Sequence, residues 1–154
     1  MSEFRNEFIV EAPIARVFDF HLDINNLLEM TPPDWNVEIL RADIPIRVGS
    51  HIDINVKSKR FSSTLKTIVT RFDPPHDFTD TQISGIFKSW IHNHHFEEIS
   101  DSRTRVTDFV RYELPLGLLG RFFGRGMAER RLRDLFEHRR KMTIRLLEGK
   151  TRKK

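Results

Sequence analysis

The chain has no cysteine, one tyrosine and two tryptophans among its 154 residues. The absence of cysteine excludes a disulfide framework, a thiolate metal site and a cysteine nucleophile. No apolar run approaches the roughly 18–20 residues that a membrane-spanning helix requires. The first residues, MSEFRNEFIVEA, carry acidic side chains where a signal peptide would carry a basic start and an apolar stretch. A chain of this length is expected to form one cytoplasmic domain over residues 1–148, followed by a basic tail over residues 149–154.

The charge balance has an excess of basic residues, with a formal net charge of +4 at pH 7. Much of this excess lies after Gly124, where arginines alternate with glutamate and aspartate. Such alternation is typical of the solvated face of a helix. The sequence therefore predicts no nucleic-acid partner.

The first third of the chain carries one strand pattern and two helical patterns. Residues 4–12 alternate as a strand does, and Pro13 suits the first turn of a helix that continues through IARVFDFHLD. A second short helix is expected over INNLLEM, where Thr31-Pro32-Pro33 ends it.

From Trp35 onward the apolar period changes from 3.6 to 2. Strands are expected around residues 37–39, 52–56, 63–72, 78–84, 86–98 and 104–114, without a helical stretch between them, so the sheet should be antiparallel. A long helix follows, starting near Met127 or kinked at Gly124 and Gly126. One stripe of this helix comprises Leu132, Leu135, Phe136, Arg139, Thr143 and Leu146, flanked by Met142.

The segment GIFKSWIHNHHFEEI, residues 85–99, places three histidines within four positions. On a strand, alternate side chains share a face, and Trp90 and Phe96 gain most from burial. His92 and His94 have the same parity as these two aromatics and are expected to point inward, whereas His95 should face outward.

One carboxylate, Asp108, lies on the inward stripe of the last strand, where burial without a partner is costly. If Ser100, Asp101 and Ser102 form the hairpin loop, residues whose numbers sum to 202 lie opposite each other. Asp108 should then lie opposite His94 and be hydrogen-bonded to it. A register slip of two residues would pair Asp108 with His92 instead, so both registers predict an internal histidine–aspartate pair.

Four interpretations of this pair stay open. It could be a self-satisfied polar pair in a cavity wall, a hydrogen-bonding partner of a bound ligand, an acid/base site built from His92, His94 and Asp108, or part of a metal site. Two imidazoles separated by one residue on a strand point the same way, which suits zinc. A third ligand is missing, however, because the parity of His51 points it outward. The sequence therefore predicts neither a metal site nor a cofactor.

Two segments resemble signatures of the SRPBCC superfamily, which includes the START and pollen-allergen-like helix-grip proteins. VEAPIARVFDFHLDINNLLEMTPP resembles the N-terminal signature of the superfamily. GIFKSWIHNHHFEEISDSRTRVTDFVRYELPLGLLG resembles the later signature of its polyketide cyclase/dehydrase-like bacterial branch. The residues that match this branch are Gly85, Phe87, Trp90, His92, His94 and Phe96 in one strand, and Asp108, Val110, Tyr112 and Pro115 in the next.

The resemblance implies an α+β helix-grip fold, in which a curved antiparallel sheet of about seven strands wraps around a long C-terminal helix, with two short helices after strand 1. It also implies an apolar small-molecule ligand, lipid-, polyketide- or quinone-like, held between sheet and helix. The expected ligand-binding residues are Trp90, His92, His94, Phe96, Asp108, Val110, Tyr112, Leu132, Leu135, Phe136 and Arg139. Arg139 is expected either to extend its charge to the rim or to hold a ligand carboxylate.

Two alternatives come from other functional classes. The first is a cyclase, dehydratase or hydrolase that uses the cluster of His92, His94 and Asp108. The second is a membrane- or protein-interaction module through residues Leu118–Phe123, where four apolar side chains lie beside Arg121 and Arg125.

Overall fold

A computed structural model describes residues 1–57, 62–115 and 124–149. No helix within these ranges is both long enough and apolar enough to cross a membrane. Residues 118–123 of the predicted interaction segment, and residues 150–154 of the predicted basic tail, lie outside the described residues. The elements are β1 (Ser2–Val10), α1 (Ile14–Leu22), α2 (Ile24–Glu29), β2 (Asn36–Ala42), β3 (His51–Lys57), β4 (Ser62–Asp73), β5 (Asp77–Ser84), β6 (Ser89–Ser100), β7 (Arg103–Glu113) and α3 (Arg125–Gly149).

The seven strands form a single antiparallel sheet in the order β1-β7-β6-β5-β4-β3-β2. The predicted fold class is confirmed, including the two short helices after β1 and the long C-terminal helix. Register shifts interrupt the ladder between β2 and β3 and the ladder between β4 and β5. Such bulges bend strands, which helps the sheet to curve around a helix.

The predicted register of β6 and β7 is confirmed. Trp90 lies opposite Tyr112, and His94 lies opposite Asp108. The hairpin itself differs from the prediction, because both strands extend further and leave only Asp101 and Ser102 in the turn. A register shift between Glu98 and Ser100 absorbs the difference, so the pairing further from the turn is unchanged.

Element boundaries differ from the sequence prediction by a few residues. β1 covers Ser2–Val10, where residues 4–12 were expected, and β6 covers Ser89–Ser100, where residues 86–98 were expected. Pro13 is the N-cap of α1 and has extended backbone angles. It therefore precedes the first turn that it was expected to occupy. The helix α3 begins at Arg125 and continues through Gly126.

Two apolar clusters form the core, and the histidines of β6 lie between them in sequence. The first cluster packs α1 against β1, β5, β6 and β7, and it includes Phe18 and Phe96. The second packs α3 against β6 and β7, and it includes Trp90 and Phe136. His92 and His94 therefore occupy the stretch of β6 where one cluster gives way to the other.

Candidate functional site

A cavity of about 490 Å³ lies between the sheet, the short helix α2 and the long helix α3. Aliphatic and aromatic side chains form most of its wall. The alternation of β3 explains this on one side, because Ile52, Ile54 and Val56 share the inward face. From elsewhere in the chain, the apolar wall includes Leu22, Ile24, Leu27, Met30, Trp35, Val37, Ile46, Leu65, Phe78, Phe87, Trp90, Leu132, Leu135 and Phe136.

Eight of the predicted ligand-binding residues line this cavity, namely Trp90, His92, His94, Asp108, Leu132, Leu135, Phe136 and Arg139. Three others, Phe96, Val110 and Tyr112, are fully buried and do not line it. Strand parity points all three inward, as expected, but other side chains fill the space above them. The ring of Phe18 lies 5.5 Å from that of Phe96, and the ring of Phe87 lies 5.6 Å from that of Tyr112. The assignment of the eight as ligand-binding residues remains a prediction.

Two histidines and two aspartates form a polar cluster in the cavity wall. His92 Nε2 lies 3.0 Å from Asp108 Oδ1, and His94 Nε2 lies 3.1 Å from Asp80 Oδ2. Since an ionised carboxylate only accepts hydrogen bonds, both Nε2 atoms donate. The other ring nitrogens also approach carboxylates, with His92 Nδ1 at 3.6 Å from Asp80 Oδ2 and His94 Nδ1 at 3.5 Å from Asp108 Oδ1. The cluster is therefore a closed ring of four groups.

The hydrogen-bond partner of Asp108 differs from the sequence prediction. His94 lies opposite Asp108 in the ladder, but the hydrogen bond to Asp108 comes from His92. The reason is a carboxylate on the other neighbouring strand, since Asp80 on β5 accepts the hydrogen bond of His94. Each histidine therefore bonds diagonally rather than directly across the ladder.

Asp80 is the residue of this cluster that the sequence analysis missed. It lies opposite His92 in the ladder between β5 and β6. A signal was present in the sequence, because Phe78 and Asp80 have the same parity in β5 and a buried Phe78 implies an inward Asp80. The register between β5 and β6 is needed to place Asp80 beside the histidines, and the irregular connection at residues 85–88 does not determine that register.

Burial, hydrogen bonds and neighbouring charges shift the pKa values of the four groups in the cluster. Burial alone would raise the pKa of Asp108, but the hydrogen bond and charges of His92 and His94 outweigh it and hold the pKa well below its usual value. The pKa of Asp80 is lowered for the same reasons. Burial and the neighbouring charge of His94 lower the pKa of His92, whereas the two carboxylates outweigh burial and raise the pKa of His94. His94 is therefore the histidine that binds a proton first.

Two further polar side chains border the cluster. The Nε atom of Arg139 is buried and has no hydrogen-bond partner among the described residues, and its guanidinium lies 5.4 Å from the ring centre of Phe136. Its charge acts on both Asp80 and Asp108. His21 donates from Nδ1 to the carbonyl of Val17 at 2.7 Å, and burial lowers its pKa to about 4. His21 is therefore a neutral member of the cavity wall at physiological pH.

The outer face of the same strands carries a separate pair. His95 is exposed, as its parity predicts, and its Nδ1 lies 3.1 Å from Asp77 Oδ2. His51 does not line the cavity.

In chemical terms, the inner cluster offers an acid/base pair at the cavity surface, or a set of nitrogen and oxygen ligands for a cation.

Comparisons with known proteins agree with this architecture. The family described as "Polyketide cyclase / dehydrase and lipid transport" matches residues 10–136. No functionally curated protein matches the chain significantly. A START superfamily protein from Mycobacterium smegmatis has a similar structure, with a TM-score of 0.74 at 15% identity, covering 96% of this chain and 97% of that one.

Two other solved structures are also similar to this chain. The di-domain ARO/CYC StfQ from the steffimycin biosynthetic pathway has a TM-score of 0.75 at 9% identity, covering 97% of this chain and 51% of StfQ. The major latex-like protein 151 of Panax ginseng has a TM-score of 0.58 at 15% identity, covering 74% of this chain and 80% of its own. At these identities the likeness shows the fold. Since the family match itself extends over most of the chain, the protein belongs to the polyketide cyclase / dehydrase and lipid transport family of the SRPBCC superfamily.

Proposed function

We propose that the protein binds a hydrophobic or amphipathic small molecule, lipid-, polyketide- or quinone-like, in the cavity between the sheet and α3. The observation that carries this proposal is the cavity itself, with a volume of about 490 Å³ and a wall formed mostly by apolar side chains. Ligand sites in proteins typically have volumes of roughly 300–1,000 Å³ and combine an apolar wall with a few convergent polar groups.

Five ionisable groups of the wall lie together, which suits an amphipathic ligand. Asp80, His92, His94, Asp108 and Arg139 form this group on β5, β6, β7 and α3. The wall contributed by β2 and β3 is apolar in contrast, with Val37, Ile52, Ile54 and Val56. A ligand would therefore place its oxygen-bearing end against the histidines and its hydrocarbon body along β2 and β3. The family description, which names lipid transport and polyketide cyclisation, supports a ligand of this chemistry.

The test combines ligand discovery with a variant that fills the cavity. Native mass spectrometry of freshly purified protein should show a co-purified small molecule, and titration with oleic acid should show saturable binding. Leu65 lines the cavity, whereas its neighbour Lys66 is exposed on the other face of β4. Leu65→Trp should abolish both signals because the larger side chain occupies the ligand space, and Lys66→Trp should leave them intact. Equal binding by the two variants would place the ligand elsewhere and reject the proposal.

A second candidate, a cyclase, dehydratase or hydrolase, is favoured by the polar cluster alone. His94 lies at the cavity surface beside two carboxylates that raise its pKa, which is an arrangement that general acid/base catalysis can use. Incubation of the co-purified compound with the protein should then yield a product of different mass. His94→Gln should retain binding but slow this conversion by about 10²–10⁴-fold, the usual contribution of a general acid or base. An unchanged compound after prolonged incubation with the wild-type protein supports the binding function alone.

A further inference from the structure

We propose that Asp80, His92 and His94 form a binding site for a divalent first-row transition metal ion such as Zn²⁺. All three side chains line the cavity, and each offers a ligand atom within 4.8 Å of the others. Two imidazoles and one carboxylate are a ligand set that suits Zn²⁺, Fe²⁺ or Co²⁺. The inference does not depend on the nature of the organic ligand.

Two of the three distances between the ligand atoms are close to the edge length of a metal coordination sphere. Asp80 Oδ2 lies 3.1 Å from His94 Nε2 and 3.6 Å from His92 Nδ1. When nitrogen and oxygen ligands bind zinc at about 2.0–2.1 Å, adjacent atoms of a tetrahedron are separated by about 3.4 Å. Each of the three residues offers a ligand atom within 4.8 Å of the others, so side-chain movements can bring all three to an ion placed among them.

Asp108 occupies the position that an outer-sphere carboxylate takes in metal sites. Its Oδ1 lies 3.0 Å from His92 Nε2 and 3.5 Å from His94 Nδ1, the ring nitrogens that face away from Asp80. Metal-bound histidines almost always donate their second N–H to such a group, which orients the ring and increases its basicity. In addition, Asn6 Nδ2 lies 3.4 Å from the other oxygen of Asp108 and helps to orient the carboxylate.

The number of N–H donors in the cluster also favours a bound cation. Four ring nitrogens lie between 3.0 and 3.6 Å from carboxylate oxygens. Two neutral imidazoles supply only two N–H donors, so two nitrogen lone pairs would face carboxylate oxygens. Metal binding beside Asp80 would move the proton of His94 from Nε2 to Nδ1. Both lone pairs then point at the ion and both remaining N–H groups point at Asp108, which removes this repulsion. A proton is the competing occupant, and the experiment distinguishes the two.

The surroundings favour a fixed and accessible site. His92 and Asp80 lie opposite each other on paired strands, and the ring of His94 stacks on Phe78 with the ring centres 4.0 Å apart. Sites on paired strands are held more precisely than sites on loops. The two carboxylates together exceed the single charge of Arg139, which acts on both. Since the three ligands line the cavity, a fourth coordination position would face the ligand space, as in zinc sites that bind water or a substrate oxygen.

The experiment titrates chelator-treated protein with Zn²⁺ by calorimetry and with Co²⁺ by visible absorption. The expected result is one ion per chain with the intense visible bands of tetrahedral Co²⁺. Asp80→Asn and His94→Gln should weaken binding by more than the 10–100-fold that loss of an outer-sphere partner costs, and Asp108→Asn should weaken it by about 10–100-fold. His95→Gln is the matched control, because it removes a histidine from the outer face of the same strand. Near-ultraviolet circular dichroism checks that each variant is folded.

A measurement on the wild-type protein keeps the test independent of variant folding. X-ray absorption of the Zn²⁺ complex should show two imidazoles and at least one carboxylate oxygen at about 2.0–2.2 Å. The proposal is overturned if Zn²⁺ and Co²⁺ do not bind stoichiometrically, if fewer than two imidazoles bind the ion, or if His95→Gln weakens binding as much as His94→Gln does. Each of these outcomes would leave the cluster as two hydrogen-bonded histidine–aspartate pairs that hold protons.

Discussion

The carboxylate of Asp108 lies opposite His94 in the ladder between β6 and β7, yet it accepts its hydrogen bond from His92, at 3.0 Å. The other side of β6 repeats the arrangement, since Asp80 lies opposite His92 but accepts from His94, at 3.1 Å. These diagonal bonds tie β5, β6 and β7 together across their inner face. The cluster thus both connects neighbouring strands of the sheet and forms part of the cavity wall.

Replacing the buried carboxylate should therefore destabilise the fold. Asp108→Asn removes the negative charge of the acceptor and places an amide NH2 opposite one of the N–H donors that now face the carboxylate, so it should lower the free energy of unfolding by about 1.5–3 kcal/mol. Urea denaturation in the presence of a chelator measures this loss. Asp101→Asn in the exposed turn between β6 and β7 is the control, with an expected effect within about 0.5 kcal/mol. Equal stability of Asp108→Asn and the wild-type protein would contradict a structural role for the cluster.

His21 should make the folded protein sensitive to acid. Its pKa is lowered from 6.5 to about 4 by burial, with further effects from the charges of His94, Asp108 and Arg139. Between these values the unfolded chain binds a proton that the folded chain does not, so stability falls as the pH drops from 6.5 towards 4. A shift of this size corresponds to about 3 kcal/mol of free energy of unfolding.

The variant His21→Asn isolates this contribution. Its amide can still donate to the carbonyl of Val17, which His21 contacts at 2.7 Å, but it does not titrate. Urea denaturation across the interval from pH 6.5 to about 4 should show a smaller loss of stability in the variant than in the wild-type protein. Because both proteins contain the same other titratable groups, parallel pH curves would show that His21 is not buried in its neutral form.

Two residues that were predicted to bind the ligand lie in different environments, so truncating their side chains should have different effects. Val110 is fully buried in the core, whereas Leu135 lines the cavity. Val110→Ala should lower the free energy of unfolding by about 2 kcal/mol, from lost burial and an added void, and should leave the affinity for oleic acid unchanged. Leu135→Ala should weaken oleic acid binding because it removes part of the contact surface. Calorimetric titration and urea denaturation of both variants provide the comparison, and a weaker affinity in Val110→Ala would return that residue to the ligand site.

The chain contains two tryptophans, and both line the cavity. A bound ligand that absorbs near the tryptophan emission, such as a polyene fatty acid, should therefore quench both. Trp35→Phe and Trp90→Phe leave a single reporter each, and each variant should still show saturable quenching. If either remaining tryptophan kept its full emission at saturation, the ligand would not extend across the cavity from β6 to the segment before β2.

Much of the site could be predicted from the sequence because strand parity is a local property. The alternation of Trp90, His92, His94 and Phe96 placed both histidines on the inner face, and the position of the turn established the pairing with β7. Asp80 could not be placed in the same way. Its inward direction follows from parity, but its proximity to His94 depends on the register between β5 and β6.

The sequence by itself determined the order of the elements, the antiparallel sheet and the face on which each strand residue lies, because backbone periodicity and apolar patterning act over a few residues. Only the tertiary structure decided which inward side chains border open space. Phe96 is covered by Phe18, while His94 remains at the cavity surface, although both point the same way from one strand. The position of α1 over the sheet decides this, since packing depends on distances between elements that are far apart in the chain.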